Sequence, residues 1–423
     1  MKKILFAFLF TLAHATEQWK TSSGVPVYWQ YEQSVPMQEV LIVFDVGSRH
    51  FQPGHLKLMT DSMYKGSRYF SKESLKQLLY NQGIMFETTF DRDSFSLYYK
   101  TPLATDNTQF VRVLEASALS PVFPYNEVKQ AAIQQYDFLR ESLSSLNDVC
   151  LSATLKALFP GAPNYAASYL GKGEEIKYIH PAELKIIHKS VFQRHHAKII
   201  MIGALSKEKA RDLADKIAMK LSKNTQAPPS TESLSVTNTP QSKHIPFAGS
   251  QTRFVFSKKI PINPHSDSFP ALLLANHILG EMTDSNLLND YMRENKGWVY
   301  DINSKVKVTD DFSVLLISGQ TKQSQPERFS DVILSVINKL NNGDFSEEYF
   351  KRAKSNLIIN LSFNDSNTAK IFTMKQFLDY GLSPDFDATL IKAINALQLD
   401  DIVQVSKLFS TNQFYSVYVG KEK

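Results

Sequence analysis

Cysteine is almost absent from this chain. Cys150 is the single one among 423 residues, so no intramolecular disulfide can form and an apolar core must hold the fold. Charge of one sign is scarce as well: the formal net charge is +5, and +3 without Lys2 and Lys3. That is too little, over this length, to point to nucleic acid or an anionic membrane surface. Beyond the N-terminus no stretch approaches the ~18 unbroken apolar residues of a membrane-spanning helix. Signatures of nucleophilic hydrolysis and phosphate binding are missing too. There is no G-x-S-x-G elbow, Gly171 to Glu175 (GKGEE) lacks the phosphate-loop spacing, and Cys150 lies on an apolar helix with no histidine nearby.

What is present begins with MKKILFAFLFTLAHA: two lysines, an apolar run from Ile4 to Leu12, then Ala13-His14-Ala15. This reads as a signal peptide over residues 1–15, of a bacterial style, and the expected compartment is the periplasm. With 43% apolar residues, the remaining length can supply two cores. Ser222 to Pro246 is rich in Ser, Thr, Asn, Gln and Pro and reads as a linker between domains at 16–221 and 247–423.

The two halves repeat each other. Phe192 stands eleven positions before Gly203, and Phe409 eleven before Gly420, a shift of 217 (409 minus 192). The same shift carries Asp93-x-Phe95-Ser96 onto Asp310-x-Phe312-Ser313. Two coincidences at one shift indicate a duplicated fold. Strands are expected at 39–45, 83–89, 94–100, 197–202, 252–257, 299–308, 312–318 and 415–419. Helices are expected at 55–65, 72–81, 126–144, 181–191, 207–221, 269–279, 285–293, 327–340, 346–362 and 368–379. Short strands among long helices predict α+β halves, each a mixed, mostly antiparallel sheet covered by helices.

One segment carries the chemical argument. PGHLKLMTDSMYKGSRYFS (Pro53 to Ser71) sets Gly54, then apolar residues at helical spacing, then Lys65-Gly66-Ser67. This frame resembles the pitrilysin/insulinase-like zinc metallopeptidases, the inverzincins that include the mitochondrial processing peptidases. Their motif reads G-x-x-H-x-x-E-H-x-x-x-K-G-[ST]. Aligned on Gly54 and Gly66, the two His ligands and the Glu base fall on Lys57, Thr60 and Asp61. A catalytic zinc needs about three protein ligands and an open water site, with a base to deprotonate that water. Lys57 brings a positive charge instead of an imidazole, Thr60 is no base, and one carboxylate makes no site. The family's downstream Glu ligand would fall near Gln135 to Phe138, where Asp137 alone could ligate.

The resemblance extends through DVGSRH (Asp45 to His50), VFPYNEVKQAA (Val122 to Ala132) and the segment ending in Arg293, Gly297 and Tyr300. In active members an Arg and a Tyr, at the first and last of these three positions, hold the substrate backbone. Arg offers a fork of donors and Tyr a hydroxyl. As ordinary structural residues, Arg293 would close a helix and Tyr300 would sit in a strand. Lost ligands with this pair kept is the pattern of the second chain in two-chain members of the family. The implied role is a non-catalytic, substrate-contacting subunit of an exported heterodimeric zinc peptidase, the halves closing as a clamshell. No cofactor is expected on this chain; the zinc would sit in a homologous partner with an intact H-x-x-E-H motif. The substrate would be a peptide or unfolded protein, with no nucleic acid and no membrane involved. A metal-free peptide-binding or scaffold protein, and a self-sufficient protease with relocated ligands, are the competing readings. His50, His55 and the pair His195-His196 read as structural, the last two as diverging side chains.

Overall fold

Apolar runs in the middle of each half become central strands. The computed structural model describes residues 15–224, 232–236, 241–283, 285–322, 328–362, 366–410 and 414–421. The expected signal peptide, but for Ala15, and much of the expected linker lie outside them. The first half builds a six-stranded sheet from β1 (Glu17–Lys20), β2 (Pro26–Tyr31), β3 (Met37–Phe44), β4 (Met85–Phe90), β5 (Phe95–Pro102) and β6 (Ala197–Gly203), in the order β1-β2-β6-β3-β5-β4. Nearly every residue of β3 and β6 is buried. Both faces of these strands are therefore covered, and their sequences show no polar alternation.

The second half forms a five-stranded sheet from β7 (Ser242–Pro246), β8 (Thr252–Ile260), β9 (Asp301–Val308), β10 (Ser313–Thr321) and β11 (Tyr415–Gly420), in the order β7-β11-β8-β10-β9. A shift of 217 lays β2 to β6 over β7 to β11, and the strand order is the same in both sheets. The pairings agree too: β2 is parallel to β6 and β7 to β11, while the other pairs are antiparallel. The duplicated α+β architecture expected from the sequence is thus present. One correction concerns the linker: residues 242–246 form the strand β7, which polar and proline content concealed.

Helices α1 (His55–Met63), α2 (Lys72–Asn81), α3 (Asn107–Leu114), α4 (Tyr125–Leu143), α5 (Leu146–Leu158), α6 (Pro163–Ala166), α7 (Pro181–Val191) and α8 (Lys207–Lys220) belong to the first half. The second contributes α9 (Phe269–Asn276), α10 (Phe329–Asn342), α11 (Glu347–Ser362), α12 (Asn367–Asp379), α13 (Phe386–Ala396) and α14 (Leu399–Ser410). The same shift relates α1 to α9, α4 to α11, α5 to α12 and α7 to α14.

The halves exchange one helix each. First-half α5 lays Cys150 and Ala153 on Val255, Val417 and Val419 of the second sheet. Its counterpart α12 lays Ile371 and Met374 on Leu41, Val43, Ile200 and Ile202 of the first. Burying an aliphatic side chain of this size contributes about 1.5–3 kcal/mol, so each sheet depends on the other half for a covered face. Polar contacts fix the register of α12. The buried Glu39 carboxylate accepts from Tyr98 (2.7 Å), Thr368 (2.9 Å) and Lys100 (3.0 Å). Lys198 lies between Asp45 (2.8 Å) and Asp379 (3.0 Å). Burial alone would lower the Lys198 ammonium, but the two carboxylates overcome it and hold its pKa above the ordinary lysine value.

Candidate functional site

Helix α1 packs against α4 and α7 and turns one side toward an open groove. Gly54 caps it at φ 89°, a left-handed conformation natural to glycine. A Cβ there would lie 3.0 Å from both the Leu170 carbonyl oxygen and Gln135 Nε2. The groove, about 490 Å³, is lined by Lys57, Thr60 and Asp61, by Thr88 to Phe90 of the edge strand β4, and by Arg92 and Tyr169. The structure therefore gathers the three degenerate metal positions at one site.

Each is already engaged. Lys57 and Asp61, one turn apart, form an ion pair with each other. Buried Thr60 donates its hydroxyl to the Leu56 carbonyl one turn back, at 2.7 Å. This is the local bond by which a helical threonine satisfies itself. Within the Gln135 to Phe138 stretch, where the resemblance implies a further carboxylate, α4 turns Gln135 inward, 1% exposed. Its amide donates to the Gly54 carbonyl (2.9 Å) and the Leu170 carbonyl (2.8 Å), tying the start of α1 in place. Asp137 is exposed, off the buried stripe of Val128, Ala131, Ala132, Gln135 and Leu139 that faces the core. Zinc does not fit this set: an ammonium, a self-bonded hydroxyl, a carboxamide and one salt-bridged carboxylate cannot supply three ligands and a base. No group of three or more His, Cys, Asp or Glu in a metal-holding arrangement occurs among the described residues.

Arg293 and Tyr300 lie elsewhere. Residues 289–295 wind as a wide helical turn, so the helix expected to end at Arg293 continues through Asn295. Gly297 at φ 62° then reverses the chain, its amide donating to the Arg293 carbonyl at 2.9 Å. The Arg293 side chain is 53% exposed, 3.6 Å from Glu294. Tyr300 is 47% exposed, with the Lys322 ammonium 5.5 Å from its ring centroid. Neither residue lines the α1 groove.

The remaining candidates are structural. The Gly47 amide donates to His50 Nδ1 (3.0 Å), and burial pulls the His50 pKa down. His55 lies 3.7 Å from Glu183. The rings of His195 and His196 do not diverge as expected; a tight helical turn brings their centroids to 3.7 Å. Burial pushes the Cys150 thiol up to about 12, leaving it unreactive. Sequence reasoning missed Arg92 as a wall of the groove. Its guanidinium donates to the Tyr165 carbonyl (2.6 Å), and the same tyrosine ring carries second-half Lys307 at 4.8 Å. Burial, aided by Arg92, pushes the Lys307 ammonium down to about 8.

The fold defines a class: a duplicated α+β architecture in which Lys57, Thr60 and Asp61 of α1 do not fit zinc. Residues 178–357 match the family model described as the peptidase M16 inactive domain. No curated protein matches the chain in sequence. Solved structures share the fold. A peptidase M16 inactive domain from Pseudomonas fluorescens is 18% identical with a TM-score of 0.84, covering 96% of this chain and 98% of its own. A protease from Helicobacter pylori is 16% identical with a TM-score of 0.85, covering 96% and 99%. The periplasmic protease PqqL from Escherichia coli is 13% identical with a TM-score of 0.82; the match covers 97% of this chain but 46% of PqqL. Residues 178–357 thus belong to the inactive domain of the M16, insulinase-like peptidases, and nearly the whole chain shares the fold of solved M16 structures.

Proposed function

We propose that this chain is the non-catalytic, substrate-contacting subunit of an exported, periplasmic heterodimeric zinc peptidase. The observation that carries the reading is the contrast between α1, where Lys57 and Asp61 pair and Thr60 bonds its own helix backbone, and an Arg293–Tyr300 pair whose side chains are exposed. The partner would be a homologue with an intact H-x-x-E-H motif, holding the zinc. This chain would close over the bound peptide, Arg293 donating to a peptide carbonyl and Tyr300 to the developing oxyanion.

One observation favours a second reading, a metal-free peptide-binding or scaffold protein. Among the described residues the outer edge of β4 has no partner strand, and it borders the α1 groove, where an extended peptide could add to it. Affinity purification of the tagged protein from its own cells, with mass spectrometry and metal analysis, separates the readings. An equimolar H-x-x-E-H homologue carrying the zinc is the expected result. Recovery without such a homologue favours the scaffold, and a tightly held zinc on the isolated chain favours a protease with relocated ligands.

A further inference from the structure

Where α4 turns into α5, a cavity of about 750 Å³ opens that meets the α1 groove at Arg92, Ala167 and Tyr169. Its floor is apolar, formed by Leu139, Leu143, Leu151 and Leu155 with Ile245 of β7. Leu143, Leu151 and Tyr169 at this site are 62%, 51% and 51% exposed. Large apolar side chains held together in water mark an interaction surface. The lining is also one-sided in charge: Arg92, Lys156, Lys172 and Lys243 against the single carboxylate of Asp148. Among the described residues none of the three lysines has an acidic partner within ion-pair distance.

The neighbouring strand supplies a second observation. Among the described residues β7 ends its sheet, paired only with β11. Ser416 N donates to Gln241 O and Phe247 N to Gly420 O, so by parallel alternation Lys243 and Ile245 direct their backbone groups to β11. Ser242 and His244 direct theirs outward. The side chains of Lys243 and Ile245 both line the cavity. A strand added about 4.8 Å beyond β7 would therefore turn every second side chain into that cavity. Pro246 has no N–H and stops the ladder, which limits the added strand to a few residues.

We propose that the outer edge of β7 and this cavity bind a short extended peptide whose cavity-facing positions read acidic–apolar–apolar–acidic. The apolar pair would fill the leucine-lined floor and the carboxylates would meet Lys156, Lys172 and Lys243. The inference rests on neither a partner subunit nor a zinc site. The probe is a fluorescein-labelled, end-capped heptapeptide, Asp-Thr-Leu-Thr-Leu-Thr-Asp, compared with the same peptide carrying Lys for both Asp. Fluorescence anisotropy on the full chain should show at least tenfold tighter binding of the acidic version. Lys156→Glu with Lys243→Glu should abolish or reverse that preference. His244→Pro, which removes only an outward N–H, should weaken binding at least fivefold with the thermal melt unchanged. Equal affinity for the two peptides, or binding within twofold of wild type in the double lysine variant, would overturn the proposal. So would a concentration-dependent dimer, seen by sedimentation, that Leu151→Glu abolishes, because the surface would then belong to a second copy of the chain.

Discussion

Helix α1 borders an open groove, whereas its duplicate α9 is sunk in the second core. Shifted by 217 positions, Lys57, Thr60 and Asp61 correspond to Leu274, His277 and Ile278, all buried. Seven of the eight α9 residues are buried, and His277 closes on Asn356 at 2.9 Å. The duplication thus produced one helix that serves packing and one that keeps a polar side toward an accessible groove. Core packing alone does not explain the polarity of α1, since its twin fills two of the three places with leucine and isoleucine and buries the third, His277. The distinguishing feature of α1 is therefore an accessible polar surface.

Exchanging residues between the twins breaks the comparison most severely. Leu274→Lys puts an unpaired ammonium into the second core and should cost about 3–5 kcal/mol, the range for an uncompensated buried charge. The reverse change, Lys57→Leu, removes only a partly exposed ion pair and should shift stability by less than about 1 kcal/mol. Urea denaturation of both variants checks the pair of values. Equal costs would mean that α1 is as much a core helix as α9.

Titration sharpens the same contrast. His188 on α7 is buried, with Nε2 2.7 Å from the Ala118 carbonyl oxygen, and burial holds its pKa down to about 4. Its twin on α14 is Val405, which cannot titrate. The folded chain keeps His188 neutral while the unfolded chain takes up a proton near 6.5. Stability from this site is therefore complete above pH 6.5 and is lost as pH falls toward 4, roughly 3 kcal/mol in all. In His188→Val the loss of stability between pH 7 and pH 4 should shrink by about that amount, measured by denaturant titration at each pH. A smaller effect is expected at the cap of α1. Gly54→Ala, at a left-handed φ and against Gln135 and Leu170, should lower stability by about 1–2 kcal/mol. The check is the shift in the urea midpoint, and no shift would mean that this cap is not held tightly.

The apolar strands β3, β6, β8 and β11 were legible because unbroken runs of Val, Ile and Phe have few other solutions. Strands β1, β2 and β7 were not, because edge or half-exposed positions mix charge, proline and aromatics. Helices α13 and α14 also escaped; their place depends on α9 and α10, which they cover. The grouping of Lys57, Thr60 and Asp61 could be read directly, because they stand at helical spacing within one element. The role of Gln135 could not, since it joins Gly54 to Leu170 across 81 and 35 residues. The groove formed by α1, β4 and Arg92 likewise exists only once the sheet is assembled.

The most direct test of the account is peptidase turnover by the complex of this chain with the proposed zinc-bearing partner. A quenched fluorescent peptide would be followed at matched subunit concentrations for wild type, Arg293→Ala and Tyr300→Phe. Both side chains are exposed, so folding and assembly should be unaffected. Loss of one oxyanion-type donor costs about 10²- to 10³-fold in rate, and each variant should fall by an amount at or below that range. Turnover within twofold of wild type for both would contradict the account and leave this chain a scaffold.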